Sequence, residues 1–307
     1  MPDPLTARAR WCLLLAAACA LGLGAVYVVA VRTAWGQRAG NAAIAGGLDR
    51  APGVVDYASV VLGVVSLPRL AVATAVLVGV GWWRGGWPLA LGAGTVVGGA
   101  NVATQVLKRG VFDRPSLMGV EDPFGSHNSL PSGHATVALS LALAVVLLLP
   151  PRRRVTVGAP LLAAAVFFGV LTVAAGWHRP SDVMAADLVA VGVASLVAAA
   201  LLWLGRERAA LPPLDRAEAA GQIPLWRRVQ GSAAALLGLG LATWLAAVLD
   251  PDWNAFEPAR TNLAYLAGSV VLWGAGVFLG AAFLAAVAGV DFGRRGRRTA
   301  ATPAPTA

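Results

Sequence analysis

The chain has 307 residues, 58% of them hydrophobic and 13% charged, with 24 basic residues against 15 acidic ones. A mean hydropathy of +0.70 excludes an ordinary soluble domain. The positive charge sits in short clusters between apolar runs and not along one face, which argues against a nucleic-acid surface and for the basic inner loops of a multi-span membrane protein.

The first apolar run, Trp11 to Val31, follows Arg8 and Arg10 and is long enough to cross a bilayer. It is read as an uncleaved first span and not as a secretory signal. Cys12 and Cys19 fall inside it, where neither a disulfide framework nor a metal cage is plausible, so both read as buried apolar side chains. The next run, Val60 to Trp83, is interrupted by Pro68 and Arg69. It is counted as a span with poorly defined ends, preceded by a short interfacial helix, because an arginine facing lipid is costly.

Six further runs follow, at Trp87 to Leu107, His134 to Pro150, Val155 to Ala175, Asp182 to Leu204, Ser232 to Leu249 and Ala264 to Val290, giving eight expected spans. The fold expected is an all-α integral membrane protein. Residues 1–204 form a six-span core, 205–230 a charged cytoplasmic linker, 231–290 a two-span extension and 291–307 a disordered basic tail. With the N-terminus inside, fifteen basic residues fall on the inner side and eight on the outer, with Arg69 unassigned. Both termini are therefore expected in the cytoplasm. Gly94 with Gly98, and Gly276 with Gly280, have the spacing that lets helices approach closely.

Four of the eight outer cations lie in two loops, "LKRGVFDRPSLMGVEDPFGSHNSLPSGH" after the third span and "GWHRPSDVMAAD" after the fifth. Those loops open on one face. They hold Lys108, the only lysine of the chain, with Arg109, Arg114, Arg179 and all three histidines, His127, His134 and His178. Ser132 stands where it can cap the fourth span, which would leave free backbone N–H groups pointing into the loop, and Gly133 lets a ligand approach them. With Lys108 and Arg114 this makes a pocket for a compact anion, phosphate fitting best. His178 and Asp182 are four apart and would share a face if the sixth helix reached back that far. The carboxylate would then fix the imidazole tautomer and leave the other nitrogen free to attack.

Each feature alone has a plainer reading: basic residues as interfacial anchors, Pro-Ser as a cap, and a histidine beside Trp177 as an interfacial side chain. His127 with Asp113, Glu121 and Asp122 hints at a cation site, but no ligand spacing repeats, and no metal or other cofactor is expected. The joint placement on one face favours a site.

Taken together, "PSGH" at Pro131 to His134, a Lys and an Arg-Pro upstream, and a His-x-x-x-Asp downstream resemble the three-part signature of the type 2 phosphatidic acid phosphatase superfamily. The resemblance covers about Trp11 to Leu204. It implies a six-helix, metal-independent membrane phosphatase. Lys108, Arg114, Ser132 and Gly133 would bind phosphate, His134 would protonate the leaving group, and His178, oriented by Asp182, would form a phosphohistidine. The pattern is broken twice. Five residues, not six, separate Lys108 from Arg114, and the Ser-Arg that opens the third motif is replaced by Leu171 and Thr172. Arg179 or Arg109 is expected to replace the missing arginine.

The expected function is removal of phosphate from a lipid phosphate or polyprenyl diphosphate at the outer face of a plasma membrane, in cell-envelope lipid metabolism. Richness in Ala, Arg and Gly points to a bacterial, GC-rich source. The partners expected are that lipid substrate and the bilayer, with no nucleic acid. Two alternatives stand beside it: a lipid phosphotransferase, and a non-catalytic lipid-phosphate-binding or transport protein. A soluble vanadium haloperoxidase, which shares a related motif set, is excluded by the spans.

Overall fold

The computed structural model describes residues 4–50, 52–118, 127–204, 213–248 and 257–293. Glu121, Asp122, most of the outer segment Asp250 to Arg260, the first part of the expected linker and nearly all of the expected tail lie outside these residues. Among these residues eleven helical segments follow one another: α1 (Pro4–Val31), α2 (Ala34–Leu48), α3 (Pro52–Leu62), α4 (Leu67–Gly85), α5 (Trp87–Val106), α6 (Gly133–Leu148), the short α7 (Pro151–Arg153), α8 (Ala159–Ala174), α9 (Pro180–Leu204), α10 (Pro213–Val248) and α11 (Pro258–Ala286). Two π-helical turns, Leu107–Val111 and Arg154–Gly158, extend α5 and introduce α8. Among the described residues there is no strand, so the fold is all-α.

The eight expected runs fall mainly on helices, although residues 63–66 break the second and Leu249 lies outside the described residues. Five helical stretches are long and apolar enough to cross a membrane, and α3 with α4, bent by 53° at their break, would make a sixth. α6 is apolar but has only 16 residues, about 24 Å, less than the hydrocarbon thickness of about 30 Å. The run beginning at Ser232 occupies the second half of α10, which starts at Pro213 and carries Pro224 within it, so much of the expected linker is helical. Arg69 is not bare: its Nη1 donates to the carbonyls of Gly63 and Val64, the free C-terminal acceptors at the break. Cys12 and Cys19 are buried, 0% and 2% exposed.

α2 is the element the sequence did not announce. Thr33 caps it, accepting from the Gly36 amide at 3.1 Å, and most of its residues are buried. Small residues are what allow this. A Cβ at Gly46 would collide with the backbone carbonyl of Thr261 on α11, and one at Gly47 would press on the Val173 carbonyl of α8. Ala42, Ala43 and Ala264 form a small apolar cluster at the same contact.

α11 is equally embedded. A Cβ at Gly276 would meet Val166 on α8 and Asp187 on α9, and one at Gly274 would meet the α10 backbone. Gly280 faces Leu162 at ordinary contact distance. Gly94 approaches Val78, whereas Gly98 faces open space, so the earlier glycine pair serves close packing at one position only. At the far end of α11, Arg8 donates to the Ala285 carbonyl at 2.7 Å, and fully buried Arg154 donates to Val287 at 2.6 Å and Val146 at 3.0 Å. Two cations thus satisfy the C-terminal carbonyls of α11 and complement its dipole.

A methyl group at Gly46 forces α2 off α11, whereas one at Gly98 meets nothing. Gly46→Ala is expected to lower the melting temperature of the purified protein by about 5 °C or more, and Gly98→Ala to leave it nearly unchanged. Equal shifts in a thermal unfolding assay would show that α2 is not packed in this way.

Candidate active site

Three segments converge at one end of the bundle: the π turn and loop after α5, the start of α6, and the turn between α8 and α9. Asn128 fastens the first two together. Its Nδ2 donates to the carbonyls of Lys108 and Phe112 at 3.0 and 2.9 Å, while its Oδ1 accepts from the Leu130 amide. Ser132 is the N-cap of α6, with its Oγ accepting from the Ala135 amide at 3.4 Å, as the sequence predicts. The Ser132 amide donates to the Asp182 carbonyl at 2.8 Å and so joins the start of α6 to the start of α9. A Cβ at Gly133 would find only the Gln105 amide nitrogen, at 3.7 Å, which leaves the space over this backbone open.

α9 begins at Pro180, so His178 lies before the helix and not on it. The expected pair forms nonetheless. The backbone turns at Gly176, whose φ is +71°, and the amides of Trp177 and His178 donate to the Thr172 carbonyl at 2.9 and 3.2 Å. His178 Nδ1 then stands 3.4 Å from Asp182 Oδ2. The same oxygen accepts from the Arg179 amide at 3.0 Å, half of a capping box, and from Ser129 Oγ at 2.6 Å. With Nδ1 turned to the carboxylate, Nε2 of His178 is the nitrogen left for a ligand. His134 faces it with ring centroids 6.4 Å apart, and Trp177 lies edge-on to His134 at 5.1 Å.

The cations divide. Lys108 is half-buried on the π turn, within electrostatic range of both Asp182 and His134. Arg114 is 7% exposed. Its loop is held down by Tyr27 Oη, which donates to the Asp113 carboxylate at 2.6 Å, and by Gln37 Nε2, which donates to the Pro115 carbonyl at 2.7 Å. Arg109 is exposed beside Lys108, and His127 is exposed as well. Among the described residues no group of three His, Cys, Asp or Glu side chains is placed to hold a metal ion.

Arg179 is 3% exposed and tightly built in. Its Nε donates to Asn41 Oδ1 at 2.8 Å and its Nη1 to Ser129 Oγ at 3.1 Å, and its Nη2 is buried without a protein acceptor. Its aliphatic stem lies on Gly40, where a Cβ would come within 3.3 Å. Thr172, at the position of the missing arginine, is a buried wall residue whose Oγ1 donates to the Gly169 carbonyl. The structure therefore brings Lys108, Arg114, Ser132, Gly133, His134, His178, Arg179 and Asp182 to one end of the bundle and leaves Arg109 at the edge. Sequence reasoning missed Asn41, Ser129 and Asn128. Asn41 lies far upstream on an unannounced helix, and only its place in a small-residue, half-apolar run marked it.

Residues 87–206 match the family model of the PAP2 superfamily. Over this segment the chain is similar to the PAP2 superfamily. The match bears out the resemblance read from the motifs and indicates phosphatase-type activity on lipid phosphates in a membrane-embedded protein. Neither curated proteins nor solved structures give a match. The PAP2 segment contains every site residue foreseen in the sequence but not Asn41, which α2 supplies from outside it.

Asn41 holds the guanidinium of Arg179 through its Nε. Asn41→Ala and Arg179→Ala are each expected to weaken inorganic phosphate binding, read by calorimetry, by about tenfold, and the double variant by little more. Fully additive losses would show that the two side chains act separately.

Proposed function

We propose that the chain is a metal-independent phosphatase that removes the terminal phosphate of a lipid phosphate or polyprenyl diphosphate through a phosphohistidine. The observation that carries this reading is the Asp182 to His178 to His134 alignment, an oriented imidazole facing a second one across a gap lined by cations. Phosphoryl transfer needs positive charge on the equatorial oxygens and in-line geometry, and little else from the protein.

In the first step His178 Nε2 attacks phosphorus and the bond from phosphorus to the leaving oxygen breaks. Protonated His134 gives its proton to that oxygen, and Asp182 balances the charge on the attacking imidazole. Lys108, Arg114 and the amides at the start of α6 hold the phosphoryl oxygens. The unsatisfied Nη2 of Arg179 supports its use as the third cation, in place of the arginine absent at Thr172. In the second step neutral His134 takes a proton from water, which attacks phosphorus. The nitrogen to phosphorus bond then breaks and phosphate leaves.

The substrate class follows from what borders the site. Val111 is 59% exposed, Leu117 41% and Trp177 41%, so apolar side chains stand beside the cations and suit a head group whose tail stays in the bilayer. Arg84, Arg152 and Arg153 cluster near the opposite end, and this asymmetry supports placing the histidines on the outer face of a plasma membrane.

Purified protein in detergent with EDTA is expected to release phosphate from phosphatidic acid, or from polyprenyl mono- or diphosphates, and His178→Ala is expected to release none. Loss of release in EDTA, restored by a divalent cation, would sink the metal-free mechanism. Because His134 must begin protonated and His178 must begin neutral, kcat/KM is expected to be bell-shaped in pH. A rate rising steadily from acid to alkaline pH would contradict the assignment.

A further inference from the structure

The end of the bundle opposite the histidines holds a cleft of about 580 Å³, within the range of small-molecule sites. α1 and α10 form its walls and α11 its floor, with Leu14 and Ala18 on one side, Ile223 on the other, and Phe278 and Ala282 beneath. Small residues on the floor make the depth. Three polar side chains, Arg8, Arg227 and Gln230, also line it, and among the described residues no Asp or Glu does.

Arg8 is fixed in place by the carbonyls of Ala285 and Ala286, at 2.7 and 3.3 Å, and Arg227 is exposed. A cleft so largely apolar offers water few partners, so a hydrocarbon chain is its natural filling. Two guanidinium groups without a carboxylate would meet a phosphate and leave the ammonium of a zwitterionic head group without a partner.

We propose that this cleft binds a phospholipid with a net anionic head group, drawn from the leaflet opposite the catalytic face. One acyl chain lies between α1 and α10, and the phosphate rests on Arg8 and Arg227. Such a lipid bridges the first helix to the C-terminal pair, which have few other direct contacts here. It is a resident lipid, held at the far end of the bundle from the site where a lipid phosphate would be cleaved.

The full chain, purified in detergent with equimolar phosphatidylglycerol and phosphatidylcholine, can be examined by native mass spectrometry. Wild type is expected to retain phosphatidylglycerol about tenfold over phosphatidylcholine, about 1.4 kcal/mol in all. Arg227→Gln should reduce that preference, and Ala282→Trp, which fills the floor, should abolish retention of both lipids. Ala18→Trp fills the same space from the α1 wall and serves if Ala282→Trp does not fold. Equal retention of the two lipids by wild type would overturn the proposal, as would undiminished retention in a folded, filled variant.

Discussion

Everything at the candidate site depends on one buried carboxylate. Asp182 is 1% exposed, and an ion so placed persists only if it is paired and hydrogen-bonded. One oxygen gathers Ser129 Oγ, the Arg179 amide and His178 Nδ1, while the backbone carbonyl of the same residue takes the Ser132 amide. A single residue in the first turn of α9 thereby ties together the segment before α6, the turn after α8 and the imidazole. Removing it would loosen two segments as well as untether a histidine.

The second constraint is space. Arg179 reaches the site only because Gly40 leaves room for its stem and Asn41 accepts from its Nε, and α2 can lie there only because Gly46 and Gly47 bring it against α11 and α8. α11 passes Pro180 at Gly268, so its first ten residues, about 15 Å, extend beyond the start of α9. α11 thus backs α2, and α2 in turn borders the site through Asn41. The two C-terminal helices are built into the bundle, with Arg8 and Arg154 closing the end of α11.

Much of this was legible in the sequence, for physical reasons that differ by residue. Apolar runs of spanning length announce helices because a bilayer leaves a backbone no other way to satisfy its polar groups. Ser132 before an apolar run announced a cap, and His178 four residues from Asp182 announced a contact, although the contact is made by a turn and not by a helix face. α2 was hidden because glycine and alanine, which let it pack so closely, are poor markers of a helix and carry little hydropathy. The partnership of Arg179 with Asn41 spans 138 residues and has no local signature. Arg109 and Arg179 were equal candidates for the missing cation in the sequence, and only burial separates them.

The central claim is that His178 is the atom-transfer centre and His134 its partner. The most direct measurement is to quench the enzyme in alkali during turnover of a radiolabelled lipid phosphate and locate the label by peptide mass spectrometry, since a phosphorus to nitrogen bond survives base and is lost in acid. The account predicts acid-labile label on the peptide containing His178, and none on that peptide in His178→Ala. Label on another residue, or turnover that continues in His178→Ala, would contradict it.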